Sequence, residues 1–319
     1  MSKINLCIVS FLLTLFSGCS QTSIVKDMNN EHPNKVRSKS SSRMDARQFD
    51  FPTTNYVMVG AHRAGGFKHG APENSLRAIQ HALDLGVDII EIDVRLTLDY
   101  KLVVIHDKTL ERTTNGRGKV SHHKLKEIKK LFLKDANGNL TTERVPTLKE
   151  ALAYIGDKAI VFVDKAEFLL GYVSPILVET KTVRNALFMD FIAYEEAVDK
   201  YKGLLKYSYY VPGVHDSNPD LENYISEFKM GLNPNPSSFA FWFKNENSKA
   251  LSLIKNASNN KIPVWVNTTS NNQCAGHTDE VSMSNPENGW GWVLNQGANI
   301  IFTDEPKALI DYLKSKNRR

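Results

Sequence analysis

Hydrophobic and polar positions alternate along most of the chain in a pattern that predicts short strands separated by helices. From Tyr56 onward, short apolar segments rich in β-branched residues recur, and between them apolar residues lie three or four positions apart. The first such stretch predicts a helix over Asn74–Leu85, ended by Gly86. Repeated strand–helix alternation is typical of a parallel sheet covered by helices.

The pattern predicts more strands than one barrel needs. Nine strands are predicted, at Tyr56–Ala61, Val87–Val94, Leu102–Ile105, Ala159–Val163, Ala186–Met189, Tyr207–Val211, Phe239–Phe243, Ile262–Val266 and Ile300–Phe302. The further predicted helices are Leu125–Phe132, Thr147–Ile155, Tyr194–Lys202, Leu221–Met230, Asn247–Ala257, Asn288–Asn295 and Lys307–Leu313. A (β/α)₈ barrel uses eight strands, so one candidate lies at an edge or in a loop. Periodicity alone also allows a doubly wound open sheet.

The N-terminal residues have the pattern of an export signal. Lys3 precedes an apolar stretch, Ile4–Phe16, that is too short to span a bilayer comfortably. The adjoining Phe16-Ser17-Gly18-Cys19 resembles a bacterial lipobox, in which the cysteine is acylated and becomes the new N-terminus. We therefore predict a lipoprotein signal peptide at 1–18, with lipidation of Cys19. A plain secretory peptide and an uncleaved apolar tail are the alternatives.

Composition divides the rest of the chain into a polar segment and a domain. Residues 19–50 are polar, rich in Ser, Asn and Lys, and predict a flexible tether to a domain at 51–319. If Cys19 is lipidated and Cys7 removed, only Cys274 remains, so no intramolecular disulfide is expected. The net charge is +5, from 40 Lys and Arg against 35 Asp and Glu, without a block of like charge. This distribution argues against a nucleic-acid partner.

Candidate chemistry is concentrated at the ends of the first strands. His62 and His106 each lie at or near a strand end, where side chains converge at the mouth of a parallel barrel. Imidazoles transfer protons near neutral pH. Glu91 and Asp93 are two residues apart on one strand, so they share a face and offer oxygen ligands to Ca²⁺ or Mg²⁺. Arg63 suits a phosphate group. Salt bridges from basic residues nearby are the structural alternative for the two carboxylates.

Several ordered motifs resemble the glycerophosphodiester phosphodiesterase family. They are His62-Arg63-Ala64, Pro72-Glu73-Asn74, Glu91-Ile92-Asp93-Val94, Thr97-Leu98-Asp99-Tyr100, Val103-Val104-Ile105-His106-Asp107 and Arg112-Thr113-Thr114-Asn115-Gly116-Arg117-Gly118. The dense match covers about residues 57–135, and Thr303-Asp304-Glu305-Pro306 is similar to the family's closing motif. Ala64 and Tyr100 stand where the family usually has glycine.

The resemblance implies a fold and a fuller site. It favours a TIM (β/α)₈ barrel, somewhat irregular, over the open sheet. It also implies a third acidic ligand and a phosphate-binding lysine at the end of the family's fourth strand, which we assign here to Asp164 and Lys165, with Glu167 as the fallback ligand. In the family, a glycerol hydroxyl of the substrate is thought to attack phosphorus, giving a cyclic phosphate that water opens. Which histidine is acid and which is base stays open.

Other residues have supporting or alternative assignments. Glu73 would orient Arg63 or a ligand, and Asn74 is either a site residue or a helix cap. Trp265 is assigned either to the pocket for the substrate alcohol or to the core, and His277 lies on a loop that could touch substrate. Trp242, Trp290 and Trp292 are assigned structural roles. Asp107 would hold His106 or start a turn.

The sequence therefore predicts an exported, membrane-anchored lipoprotein, in the outer membrane on its periplasmic or surface side. It would hydrolyse glycerophosphodiesters to glycerol phosphate and an alcohol with a divalent cation. Two alternatives are a phospholipase-type diesterase acting on lipids, for which an apolar rim is expected at the mouth, and a lipoprotein that binds phosphodiesters without cleaving them. The headgroup, the metal and the oligomeric state stay open.

Overall fold

The computed structural model describes residues 49–65, 70–230 and 236–319. The predicted signal peptide, Cys19 and almost all of the predicted tether lie outside these residues, so those predictions stay predictions. Among the helices in the described part of the chain, none has the length and apolar character that crossing a bilayer requires.

Strands and helices alternate through this part of the chain. The strands are β1 (Met58–Ala61), β2 (Ile89–Leu96), β3 (Leu102–Val104), β4 (Phe132–Lys134), β5 (Leu140–Arg144), β6 (Ile160–Asp164), β7 (Ala186–Asp190), β8 (Tyr209–His215), β9 (Phe239–Trp242), β10 (Val264–Asn267) and β11 (Ile300–Thr303). The helices are α1 (Leu76–Leu85), α2 (Leu125–Ile128), α3 (Leu148–Ile155), α4 (Leu170–Glu179), α5 (Tyr194–Tyr201), α6 (Leu221–Met230), α7 (Ala250–Asn259), α8 (Asp279–Ser284), α9 (Trp292–Gln296) and α10 (Pro306–Ser315).

Eight parallel strands form a closed barrel. Their order is β1-β11-β10-β9-β8-β7-β6-β2, and pairing of β2 with β1 closes the ring. Of the nine predicted strands, the one at Leu102–Ile105 corresponds to β3, which pairs antiparallel with β2 and lies outside the ring. The TIM barrel is confirmed, and the open doubly wound sheet is excluded.

The helix predictions differ from the structure in places where side chains decide the boundary. Helix α1 starts after Ser75, whose hydroxyl accepts a hydrogen bond from the Ala78 N–H at 3.0 Å, so Asn74 is not the cap. The helix predicted to reach Phe132 ends at Ile128, and the residues after it form the β4–β5 hairpin. Helices α4 and α8 were not predicted.

The barrel interior is filled by inward-facing side chains from all eight strands. This core contains Met58, Ile89, Phe162, Leu187, Tyr209, Val211, Ala240, Trp265, Ile300 and Phe302, with Phe49 from below the first strand. Gly60 leaves room for Phe302, because a Cβ on this glycine would lie 2.3 Å from the ring. Since side chains on a strand alternate between faces, the residues two positions further along each strand line the mouth.

Candidate active site

Three carboxylates from two adjacent strands meet at the mouth. Glu91 and Asp93 project from the same face of β2, and Asp164 ends β6, paired in register with Asp93. One carboxylate oxygen from each lies within 4.8 Å of the others. The two β2 carboxylates are buried, whereas Asp164 is partly exposed. We call these three residues the acidic cluster.

Glu91 is the least satisfied member of the acidic cluster. Its Oε2 accepts a hydrogen bond from the Arg63 backbone N–H at 2.6 Å, but its buried Oε1 has no hydrogen-bond partner among the described residues. Burial, together with the nearby charges of Asp93 and Asp164, raises the pKa of Glu91 well above its usual value. A buried, unpaired oxygen facing two other carboxylates fits a divalent cation, which would remove this conflict.

Lys165 neutralises part of the acidic cluster. Its ammonium forms ion pairs with Asp93 and, at 2.7 Å, with Asp164. Burial raises the pKa of Asp93, but Lys165, His106 and hydrogen bonds outweigh this effect and hold it at about 2. These contacts are the salt bridge that the sequence left as an alternative to a metal, and they also show that the cluster attracts positive charge.

Asn74 anchors Asp93 from the start of α1. Its amide group donates to Oδ2 of Asp93 at 2.7 Å, and its carbonyl oxygen accepts from the Asp93 N–H at 3.2 Å. Asn74 has a positive φ of 61° that brings its side chain back toward β2. This two-way contact fixes the orientation of the Asp93 carboxylate.

His62 is held by an aspartate that lies directly after the last barrel strand. Its Nδ1 lies 2.7 Å from Oδ1 of Asp304, and its ring packs edge-on against Phe302 with centroids 5.6 Å apart. The Asp304 N–H in turn donates to the buried carboxylate of Asp279 at 2.8 Å. His62 directly follows β1 and Asp304 directly follows β11, so the pairing of the first and last barrel strands positions this imidazole.

His106 has a similar arrangement on the other side of the acidic cluster. Its Nδ1 lies 2.6 Å from Oδ1 of Asp107, and Arg112 donates to both oxygens of that aspartate. The Arg95 guanidinium holds the His106 carbonyl with bonds of 3.0 and 2.8 Å. Burial lowers the pKa of His106, although the nearby carboxylates of Asp93 and Asp107 act in the opposite direction.

Glu73 connects the arginines. It accepts two bonds of 2.8 Å from Arg112 and contacts Nη1 of Arg63 at 3.3 Å, while Nε of Arg63 lies 3.9 Å from Asp93. Arg63 has a positive φ of 48°, which points its N–H at Glu91. Glu73, predicted to orient Arg63, contacts Arg112 more closely than it contacts Arg63, and its role stays a prediction.

Some predicted residues lie elsewhere. Trp265 has no exposed surface, and its indole N–H donates to Asn267 within the core, in agreement with its core alternative. The His277 ring stacks on Trp292 with centroids 3.7 Å apart and contacts Glu246. Glu167, the fallback ligand, is not part of the acidic cluster.

Two residues that hold site side chains in place have no role predicted from the sequence. Asp304 lies in the closing Thr-Asp-x-Pro motif, and Arg112 opens the Arg-Thr-Thr motif. Both motifs carry the family resemblance, so a signal for these residues is present in the sequence. Their side-chain partners, His62 and Glu73, are distant in sequence and become visible only in the folded chain.

Comparison with protein families supports the resemblance. Residues 62–202 match the glycerophosphoryl diester phosphodiesterase family. Residues 210–313 match a family described as a domain of unknown function. The match to the family that the motifs resemble thus covers the segment that carries the acidic cluster and both histidines.

Individual relatives each match about a third of the chain. A glycerophosphodiester phosphodiesterase from Caldanaerobacter subterraneus is 50% identical over 103 residues, which are 32% of this chain and 42% of that protein. Mouse glycerophosphodiester phosphodiesterase 1 is 42% identical over 100 residues, 30% of this chain and 29% of the relative. The chain therefore spans less than half the length of these curated relatives.

Solved structures extend the similarity over the whole barrel. A glycerophosphoryl diester phosphodiesterase from Parabacteroides distasonis has a TM-score of 0.68 at 23% identity, covering 86% of this chain and 94% of the other. An Oleispira antarctica phosphodiesterase in complex with the product sn-glycerol-3-phosphate has a TM-score of 0.58 at 21% identity, covering 82% and 97%. At these identities the comparison supports the fold.

Proposed function

We propose that this protein is a metal-dependent phosphodiesterase that hydrolyses glycerophosphodiesters to glycerol phosphate and an alcohol. The family match over residues 62–202 supports this reaction class. The observation that carries the proposal is the pair of aspartate-held imidazoles, His62 and His106, beside the acidic cluster.

In both imidazoles the aspartate contact occupies Nδ1. A carboxylate accepts the proton of that nitrogen, which leaves Nε2 for proton transfer to or from substrate. One histidine would take the proton of the attacking hydroxyl and the other would protonate the leaving oxygen. The lowered pKa of His106 suits the first role.

Glu91, Asp93 and Asp164 would hold the divalent cation, which would stabilise negative charge on the phosphate. Arg63, beside Asp93, would bind the phosphate with its guanidinium. Lys165 would contribute a second positive charge once a cation balances the carboxylates that it now pairs with.

Hydrolysis of glycerophosphocholine with Mg²⁺ or Ca²⁺ tests the reaction. We expect glycerol phosphate and choline as products, and a loss of at least about 10²-fold in kcat for His62→Ala and His106→Ala. His122→Ala, which changes an exposed histidine, is the matched control. Retained turnover in both site variants would exclude these histidines, and tight binding without turnover by the wild type would favour a binding protein.

Chelation tests the proposed cation. EDTA should abolish turnover, and added Mg²⁺ or Ca²⁺ should restore it, because the proposed cation would stabilise the charge that develops on the phosphate. Full activity after exhaustive chelation, with no metal detected by elemental analysis, would contradict metal dependence.

A second candidate, action on lipids at an interface, is favoured by one observation. Four large apolar side chains beyond the ends of β2 and β6 are exposed: Leu98, Tyr100, Phe168 and Tyr172. The rings of Tyr100 and Tyr172 stack with centroids 6.2 Å apart, and Phe168 is 85% exposed. We call these four residues the apolar rim, which is the feature expected of an interfacial enzyme.

Lysophosphatidylcholine in micelles, compared with glycerophosphocholine, separates the two candidates. An interfacial enzyme should cleave the lipid with the higher kcat/KM and lose this advantage in Phe168→Ser. Equal loss on both substrates would show that the rim supports the fold. A wild-type preference for the water-soluble diester would reject the lipid candidate.

We also propose that the chain is an exported lipoprotein anchored to a membrane through Cys19, from the Phe16-Ser17-Gly18-Cys19 motif. In a bacterial host, metabolic labelling with palmitate should mark the wild-type protein and not Cys19→Ser. Equal labelling of both, or no labelling of either, would reject the anchor.

A further inference from the structure

The mouth also carries aromatic residues, at the ends of the three strands that follow β6 around the ring. Side chains on a strand face inward at every second residue. Phe191 and Trp242 lie two residues beyond the core positions Met189 and Ala240. His215 lies four residues beyond Val211, with Gly213 between them. We call Phe191, His215 and Trp242 the aromatic sector. Phe191 directly follows β7, and His215 and Trp242 end β8 and β9; in the ring, β6 lies between these strands and β2.

These three side chains contact one another. The ring centroids of Phe191 and Trp242 are 4.6 Å apart at 56°, and those of His215 and Trp242 are 6.4 Å apart. His215 and Trp242 are register partners on neighbouring strands. A Cβ on Gly213 would lie 2.4 Å from the Phe191 ring, so this glycine lets Phe191 lie across β8.

A buried N–H donor in the aromatic sector points to a bound ligand. The buried indole N–H of Trp242 has no hydrogen-bond partner in the part of the chain that the structure describes. Beside it, Nδ1 of His215 lies 3.1 Å from the Ser217 backbone nitrogen and 2.6 Å from the Ser217 hydroxyl oxygen. Buried donors are normally paired, and an oxygen of a bound diester would pair that of Trp242.

The surroundings add negative charge. Oδ1 of Asp216 lies 3.6 Å from Nδ1 of His215, and its Oδ2 accepts from the Lys244 backbone N–H at 2.8 Å. Within the described residues, Asp216 forms no ion pair with a lysine or arginine. Phe191 is 41% exposed and presents its ring to solvent. Aromatic faces beside an uncompensated carboxylate favour a cation that has no hydrogen-bond donors of its own.

We propose that the aromatic sector binds the alcohol part of the phosphodiester and selects an alcohol with a quaternary ammonium group over a polyol. This rests on the proposed hydrolysis, which it deepens by naming the alcohol class. A trimethylammonium group contacts π faces and a carboxylate without requiring acceptors for N–H or O–H groups. The acidic cluster and the histidines act on the phosphate, and the aromatic sector distinguishes the groups attached to it.

The test compares substrates that differ only in the alcohol. For the full-length protein, kcat/KM is measured on glycerophosphocholine, glycerophosphoethanolamine and bis(glycero)phosphate. We expect the wild type to prefer the choline ester, and Phe191→Leu and Trp242→Leu to reduce that preference by about tenfold. Tyr154→Leu, an aromatic change on α3 away from the mouth, should keep the wild-type preference. Circular dichroism of each variant checks that it folds.

Binding gives a readout that does not depend on turnover. Glycerophosphocholine should change the chemical shifts of the Trp242 indole N–H in the wild type, assigned by its loss in Trp242→Leu, and bis(glycero)phosphate should change them less. A wild type that cleaves all three substrates equally, or variants that lose activity on all three in proportion, would overturn the inference and leave the proposed hydrolysis standing. Absence of any hydrolysis together with a selective shift would overturn the proposed function and support the subsite.

Discussion

The two sides of the barrel mouth are built by different physical means. On β2 and β6, and at the two histidines, nearly every polar side chain is held by another charged or polar group, as Asp93 is by Asn74 and Lys165. On β7, β8 and β9, Phe191 and Trp242 are held by ring packing and by the space above Gly213. Ion pairs and hydrogen bonds hold the side chains of the first side, whereas ring packing and the available space hold those of the second.

This difference assigns different tasks to the two sides. Buried charges such as Glu91 cost stability unless a ligand or partner balances them, so their presence indicates chemistry. Aromatic side chains at the mouth cost little and can be exchanged for other apolar groups, which suits selection among substrates. Changes on the charged side should therefore reduce kcat, and changes on the aromatic side should alter preference.

The largest expected effect is that of Glu91→Gln. Removing one charge from the acidic cluster should lower metal-activated kcat by about 10³-fold, because a neutral amide is a poor ligand for a divalent cation. In EDTA the same variant should melt about 2–4 °C above the wild type, since it removes a buried carboxylate with an unpaired oxygen. Activity assays and calorimetry check both parts, and wild-type kcat in the variant would remove Glu91 from the metal site.

Asp304→Asn tests whether the residue that follows β11 supports proton transfer by His62. The amide would contact Nδ1 of His62 without the charge that stabilises a protonated ring, and we expect a loss of about 10²-fold in kcat with little change in KM. Thermal unfolding should change little, because Asp304 is partly exposed. A rise in KM with unchanged kcat would instead place Asp304 in substrate binding.

The same contrast explains how much could be predicted from the sequence. The alternation of short apolar strands and helices predicts a parallel sheet covered by helices, and the family resemblance favours the barrel over an open sheet. Glu91, Asp93 and Asp164 were predicted from their positions at strand ends and from the family motifs, and the structure brings them together. Sequence could not decide which of nine strands lay outside the ring, because antiparallel pairing of β3 with β2 depends on the turn between them.

The aromatic side shows where such prediction fails. Trp265 and Trp242 both lie on inward faces of strands, but Trp265 is two residues before the end of β10, whereas Trp242 is the last residue of β9. That difference of one inward position places the first ring in the core and the second at the mouth. The strand ends predicted from the sequence differ from the observed ends by one or two residues. A shift of two residues is enough to move a side chain between the core and the mouth.

Arg112→Ala should have a smaller effect than either change above. Arg112 bridges Glu73 and Asp107, and thereby links the supports of Arg63 and His106 without lying in the acidic cluster. We expect a loss of about 10- to 100-fold in kcat, the size typical of residues that position catalytic groups. Arg112→Lys should recover little of it, because lysine cannot form the paired bonds to Glu73. Full recovery by lysine would show that only the charge matters.

The smallest expected effect concerns Tyr100, where the family usually has glycine. Tyr100 has a positive φ of 58° in the turn between β2 and β3, a conformation that costs a non-glycine residue about 1 kcal/mol. Tyr100→Gly should therefore be more stable than Tyr100→Ala by up to about 1 kcal/mol in urea unfolding, partly offset by the greater freedom of glycine in the unfolded chain. Both variants lack the ring that stacks on Tyr172, so the comparison isolates the backbone. Equal stability of the two variants would mean that this turn relaxes without strain.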